Sequence, residues 1–90
     1  MNEENLNSID KRRKMGREIA ELEEIKAKLT EKLLKFQEER ESLYNAPQDE
    51  EYFEKLSDLS GMESYIQREI DEIDHKINDL EDEMKKLFLA

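Results

Sequence analysis

Clustered carboxylates are the groups in this sequence that come closest to a catalytic pattern. They stand in two runs, formed by Glu21, Glu23 and Glu24 and by Glu38, Glu39 and Glu41. Carboxylates act as general acids and bases where a pocket shifts their pKa. A single layer of two helices, which the apolar pattern of the chain predicts, offers no such pocket. We therefore interpret both runs as solvated helix faces.

The chain has one histidine, His75, with Asp71 and Asp79 four residues to either side. On a helix these three side chains share a face and could hold a divalent metal ion. His75 falls on the outward side of the apolar repeat, however, which favours a solvated surface. The sequence also lacks a nucleophile beside a base, a phosphate-binding glycine loop and an HExxH motif. We expect a non-enzyme without catalytic residues, cofactor or metal.

A basic cluster runs from Lys11 to Lys14 and continues at Arg17. Such clusters can bind nucleic acid. The whole chain has 25 acidic and 15 basic side chains and a net charge of −10, which opposes binding to a phosphate backbone. An acidic stretch at residues 79–83 is predicted to lie opposite the cluster in the fold. We therefore expect charge pairing within the protein and no nucleic acid partner.

A hydrophobic repeat through the second half of the chain is the strongest structural signal. Its positions alternate in steps of four and three residues, and ten of the eleven are apolar: Tyr52, Leu56, Leu59, Glu63, Ile66, Ile70, Ile73, Ile77, Leu80, Met84 and Leu87. This spacing is typical of a coiled-coil helix that buries a narrow apolar seam against another helix.

The first half has a less regular apolar stripe, which includes Ile25, and it ends at Asn45-Ala46-Pro47-Gln48. Proline disfavours helix at the residue before it and suits the first position of a new helix. The sequence therefore predicts a frayed tail over residues 1–8, a helix over 9–44, a turn over 45–48 and a helix over 49–88. The predicted fold is all-α, with two long antiparallel helices forming a coiled-coil hairpin.

The two stripes match when residues whose numbers sum to about 95 face each other. The matched pairs are Leu43 with Tyr52, Phe36 with Leu59, Leu29 with Ile66, Leu22 with Ile73, Met15 with Leu80, and Ile9 near Leu87. The single polar position of the seam, Glu63, falls opposite Lys32. We therefore predict that Lys32 and Glu63 form a pair that fixes the register.

Two helices in one layer leave each core side chain open on two sides, so burial falls short of the ~1.5–3 kcal/mol of a fully buried Leu or Ile. This favours further association, as a four-helix bundle of two hairpins or with a partner helix. Small and apolar residues off the seam are candidates for the docking face, and aromatic residues near the turn are further candidates. The predicted partner-binding residues are Leu34, Ser57, Gly61, Met62, Ser64, Tyr65, Tyr44 and Phe53.

The composition limits the compartments and the partners that we expect for this chain. The mean hydropathy is −1.05 and 44% of residues are charged, and no apolar run approaches the ~20 residues of a membrane span. The first ten residues lack the apolar core of an export signal, and there is no cysteine. We expect a cytoplasmic protein without a membrane span, and export by a signal-less route with a partner stays open.

The sequence favours a protein-interaction module, an acidic helical hairpin that serves as adaptor, chaperone or targeting partner of a larger protein. One alternative is an acidic regulator that covers a basic enzyme surface or mimics nucleic acid. Another is a purely homo-oligomeric structural coiled coil. The small hairpins of type VII secretion have this length, but their Trp-x-Gly turn is absent, because the turn here reads Asn45-Ala46-Pro47-Gln48. Shared architecture of this kind does not give function.

Overall fold

The chain folds into two long helices that run antiparallel as a hairpin. The structure is a computed structural model, and it describes residues 3–89, with side chains described for residues 9–87. Helix α1 spans Glu3–Leu43 and helix α2 spans Glu50–Leu89. No strand occurs within the described range, and the Cα atoms extend over 71 × 14 × 14 Å. The predicted all-α hairpin is confirmed.

The bounds of α1 differ from those that the sequence predicts. Residues 3–8, which the sequence assigns to a tail, lie in helix α1. The end of α1 at Leu43 lies one residue before the predicted end.

Asp49 begins the second helix as its N-terminal cap. Its Oδ1 accepts a hydrogen bond of 2.9 Å from the backbone N–H of Tyr52, and its carbonyl accepts one of 3.2 Å from the N–H of Phe53. A cap of this kind satisfies one of the four N–H groups that a helix start leaves without a partner. Glu50 and Glu51 add negative charge to the first turn, which the helix dipole favours. The chain therefore reverses within residues 44–49.

The heptad seam of α2 is its buried side. All eleven seam positions are buried or half-buried. The five most buried side chains are exposed by 6–8%, and none is buried completely; these five are Tyr52, Leu59, Ile66, Ile70 and Ile77. The core is therefore one side chain thick, as expected for a single helix pair.

The seam of α1 contains three basic residues at equal intervals. Arg12, Lys26 and Arg40 are half-buried and lie fourteen residues apart. Lys26 occupies the place in the stripe that the sequence gives to Ile25, which is 47% exposed. The reason is the spacing, since steps of three and four residues back from Leu29 and Leu33 lead to Lys26. Long basic stems cover apolar surface while their charged ends reach water.

No helix within the described part of the chain is both long enough and apolar enough to span a membrane.

Candidate functional site

One polar pair crosses the hairpin inside the seam. Arg40 Nη1 lies 2.9 Å from Glu63 Oε2, and the Glu63 side chain is only 13% exposed. The second carboxylate oxygen, Oε1, is buried without a hydrogen-bond partner. Arg40 therefore compensates a carboxylate that has little access to water.

The partner of Glu63 differs from the predicted Lys32, which is exposed and outside the seam. Helical side chains lean toward the N-terminus of their own helix. In an antiparallel pair, two long side chains that meet each reach back toward the N-terminus of their own helix. The two residues therefore each lie further toward the C-terminus of their helix than residues that face each other in the backbone register. The residue numbers of Arg40 and Glu63 sum to 103, above the predicted register near 95, as this lean requires.

A second pair shows the same offset. Lys26 Nζ lies 2.6 Å from Asp74 Oδ1, with both side chains about 40% exposed. The residue numbers of this pair sum to 100, also above the backbone register near 95. Three of the pairs that the sequence matches across the hairpin line the same surface depressions: Leu43 with Tyr52, Phe36 with Leu59, and Leu29 with Ile66.

An open groove of about 810 Å³ runs along one face of the hairpin at mid-length. We call it the Met62 groove. Its lining residues are Leu29, Lys32 and Phe36 from α1 and Ser57, Asp58, Gly61, Met62, Tyr65, Ile66 and Glu69 from α2. A second depression of about 450 Å³ continues it toward the turn and adds Glu39, Ser42, Leu43, Lys55 and Leu59. Apolar seam residues thus form a floor that is open to solvent.

The rim of the groove is apolar and small on its α2 side. Met62 is 48% exposed and Tyr65 is 61% exposed. Gly61 lies beside them, and a Cβ added there would meet no atom within 4 Å. The hairpin itself therefore gives no steric reason for a glycine at this position.

Glu69 acts on the phenol of Tyr65 at the end of the groove. The hydrogen bond from Tyr65 to Glu69 and the negative charge of Glu69 raise the pKa of the phenol above its usual value, and the charge of Glu72 contributes least. The phenol of Tyr65 therefore holds its proton to a higher pH than usual, and its side chain is largely exposed to solvent.

The structure brings only part of the predicted partner-binding set together. Ser57, Gly61, Met62 and Tyr65 line the groove, whereas Leu34 and Ser64 do not. At about 100° per residue, Leu34 lies roughly 140° around α1 from the groove residue Leu29. It therefore belongs to the other face, where it is 53% exposed.

The aromatic residues near the turn are divided between core and surface. Tyr52 is buried and its ring meets that of Phe53 edge-on, with centroids 5.2 Å apart. Phe53 is 57% exposed and Tyr44 is 67% exposed. Tyr52 thus closes the core at the turn, while the two exposed rings lie outside it.

The basic cluster lies at the open end of the hairpin. Arg12 sits in the seam, and with Ile9, Arg13 and Met84 it lines a depression between the helices. Arg13, Lys14 and Arg17 line a groove on α1 together with Asp10, Glu18 and Glu21. Acidic neighbours on its own helix therefore share the surface with the cluster.

The described residues contain no group of three or more His, Cys, Asp or Glu side chains placed to hold a metal ion. His75 is exposed. Five surface depressions along the described residues are open ones that lie between or beside the two helices.

Sequence reasoning missed the floor of the groove and the position of Lys26. Leu29 and Phe36 look like ordinary seam residues, and only the packing shows that they stay half-buried beside an open groove. The fourteen-residue spacing of Arg12, Lys26 and Arg40 was a signal in the sequence, because it marks every second heptad of the stripe.

Comparisons with family models, curated proteins and solved structures found no match to this chain.

Proposed function

We propose that this chain is a protein-interaction module whose Met62 groove receives an apolar helix face of another polypeptide, so that it acts as an adaptor, chaperone or targeting partner. The observation that carries the proposal is the groove itself. Its floor is made of core residues, and Met62 and Tyr65 stand exposed on its rim. Amphipathic helices bind other proteins by laying their apolar face into grooves of this kind.

The thin core gives the energetic reason. Tyr52, Leu59, Ile66, Ile70 and Ile77 are the best-buried residues, and each keeps 6–8% of its surface exposed. A helix in the groove would cover Leu29, Phe36 and Met62 from their open side. Each 100 Å² of apolar surface removed from water contributes about 2.5 kcal/mol.

Gly61 supports the same conclusion. A glycine in a helix costs about 1 kcal/mol relative to alanine. Gly61 has no positive φ and no close neighbour within the hairpin, so neither backbone conformation nor internal packing requires it. A glycine on the rim of the groove would let the backbone of a docked polypeptide approach closely, which is a physical reason for Gly61 at this position.

Ion pairs favour this role over that of an acidic mimic. Glu24 pairs with Lys28 at 3.6 Å, and Glu51 pairs with Lys55 at 3.3 Å. Paired acids present a weaker negative field to a basic partner than unpaired ones.

Site-specific photo-crosslinking in cells that make this protein tests the proposal. A photoreactive phenylalanine analogue at Tyr65 should give a covalent adduct with a polypeptide, and Gly61→Gln should abolish the adduct while helicity is kept. The matched control is the same analogue at Gln67, two residues further along α2 and on the opposite flank. No adduct at Tyr65, or equal adducts at both positions, would contradict the proposal.

A further inference from the structure

One flank of α1 borders the groove face along its whole length. Lys32 lines the Met62 groove and Glu39 lines the depression that continues it. Steps of seven residues keep to one flank of a coiled-coil helix. They lead back from Lys32 through Ile25 and Glu18 to Lys11. We call these five residues the α1 flank row.

The charges of the α1 flank row are self-complementary. From Lys11 to Glu39 they read positive, negative, apolar, positive, negative. A two-fold axis at Ile25, perpendicular to the helix, places Lys11 opposite Glu39 of a second copy. The same axis places Glu18 opposite Lys32 and brings the two Ile25 side chains together.

Other heptad registers lose this match. Moving the second copy by seven residues in one direction sets Lys11 against Lys32, and moving it in the other direction sets Glu18 against Glu39. Like charges across a helix interface oppose association, and opposite charges select partner and orientation. The row therefore permits one antiparallel register.

We propose that the occupant of the Met62 groove is a second copy of this chain, docked face to face and antiparallel. Two hairpins then form a four-helix bundle with their turns at opposite ends. The inference rests on the helix-docking role proposed for this groove, and it names the docked polypeptide as a second copy of the chain.

Exposed area is sufficient for such a dimer. The chain exposes 7269 Å², whereas a compact monomer of this mass exposes about 5,500 Å². The excess of roughly 1,700 Å² per copy, or about 3,400 Å² for two copies, lies within the ~2,000–5,000 Å² that permanent homodimers bury in total. Ile25, Met62 and Tyr65 contribute apolar surface to the interface, and they are exposed by 47%, 48% and 61%.

Charge along the hairpin favours the antiparallel arrangement. Residues 35–61, at the turn end, contain eight acidic and three basic side chains. Residues 9–21 and 75–87, at the open end, contain eight basic and seven acidic ones. An antiparallel dimer sets each acidic turn end beside a neutral open end, while a parallel dimer sets two acidic ends together.

The second helix fits the same axis. With α2 lying on α2 of the second copy, Lys55 comes opposite Glu83, and the stem of Lys76 comes over Met62. The two Glu69 side chains meet near the axis as one like-charge contact, and each accepts a hydrogen bond from its own Tyr65.

The first test uses a single cysteine, since the chain has none of its own. Ile25→Cys lies on the proposed axis, so mild oxidation of the purified protein should convert it to a covalent dimer. Leu34→Cys, equally exposed but on the other face, is the control and should stay reduced. A parallel dimer keeps the two α1 helices apart, so absence of the Ile25→Cys disulfide overturns the antiparallel arrangement.

The second test reverses charges and measures the dimer dissociation constant by analytical ultracentrifugation. Lys11→Glu and Glu39→Lys should each raise the constant by about tenfold, because each changes two attractive contacts into repulsive ones. The double variant should restore it. Restoration of Lys11→Glu by Glu83→Lys instead of Glu39→Lys would overturn the proposed register.

Different results would contradict the proposed dimer and the proposed function. A strictly monomeric protein with no Ile25→Cys disulfide overturns the dimer. A photo-crosslinked adduct at Tyr65 with the mass of two copies supports it, whereas an adduct with a different polypeptide overturns the dimer and leaves the proposed function standing.

Discussion

Arg40 and Glu63 form a cross-helix ion pair at 2.9 Å in which the acid is nearly enclosed and the base is 36% exposed. This asymmetry decides what each side chain contributes. Removal of the base leaves a carboxylate with little water, while removal of the acid leaves a guanidinium that reaches solvent. Substitution of the base should therefore destabilise the hairpin, whereas substitution of the acid by an apolar residue should not.

We predict that Arg40→Ala lowers the free energy of unfolding by about 1–3 kcal/mol, because an enclosed acceptor loses its partner. Glu63→Leu should leave it unchanged or raise it, since an apolar residue then fills the last gap of the heptad. Urea denaturation followed by circular dichroism of dilute protein measures both. Lys32→Ala is the control and should stay within about 0.5 kcal/mol. A larger loss for Lys32→Ala than for Arg40→Ala would restore the pairing that the sequence suggests.

The cap at Asp49 gives a second prediction. Asp49→Ala should lower the free energy of unfolding by about 1 kcal/mol, because the Tyr52 N–H loses its acceptor at the start of α2. Asp49→Asn retains an oxygen acceptor and should cost much less. Thermal denaturation compares the two variants, and equal losses would mean that charge at the helix terminus, and not the hydrogen bond, stabilises the turn.

The pKa of the Tyr65 phenol depends on Glu69 and Glu72 of the same helix. Glu69→Gln should lower the pKa of Tyr65 toward its usual value, so that tyrosinate forms at lower pH, because the main charge and hydrogen-bond acceptor are changed. Tyrosinate absorbance against pH measures this in a background of Tyr44→Phe and Tyr52→Phe. Glu72→Gln is the matched control and should lower the pKa less. Equal effects would show that general charge, and not the hydrogen bond, raises the pKa.

Burial ranks the apolar residues by their contribution to stability. Ile70 is 6% exposed and Leu34 is 53% exposed. Ile70→Ala should therefore lower the free energy of unfolding by about 2–4 kcal/mol through lost burial and a cavity. Leu34→Ala should stay within about 0.5 kcal/mol. Denaturant midpoints of the two variants test this order, and similar midpoints would mean that the seam is not the stabilising core.

The sequence by itself determined the two helices, the turn and the buried side of α2. A strict heptad admits one buried stripe, and Pro47 ends the first helix, so these features depend on local spacing alone. A backbone register near 95 was also predicted, because apolar residues of both stripes match in it. Gly61, Met62 and Tyr65 stood out as apolar or small residues away from the stripe.

Only the tertiary structure decided the partner of Glu63, the division of the docking residues between two faces, and the groove floor at Leu29 and Phe36. Residue numbers give the level of a Cα atom along a helix, but not the direction in which a long side chain leans. They also do not show on which side of a two-helix layer a core residue stays open. Those properties depend on the rotation and separation at which the two helices pack. The sequence of one helix alone does not determine either quantity.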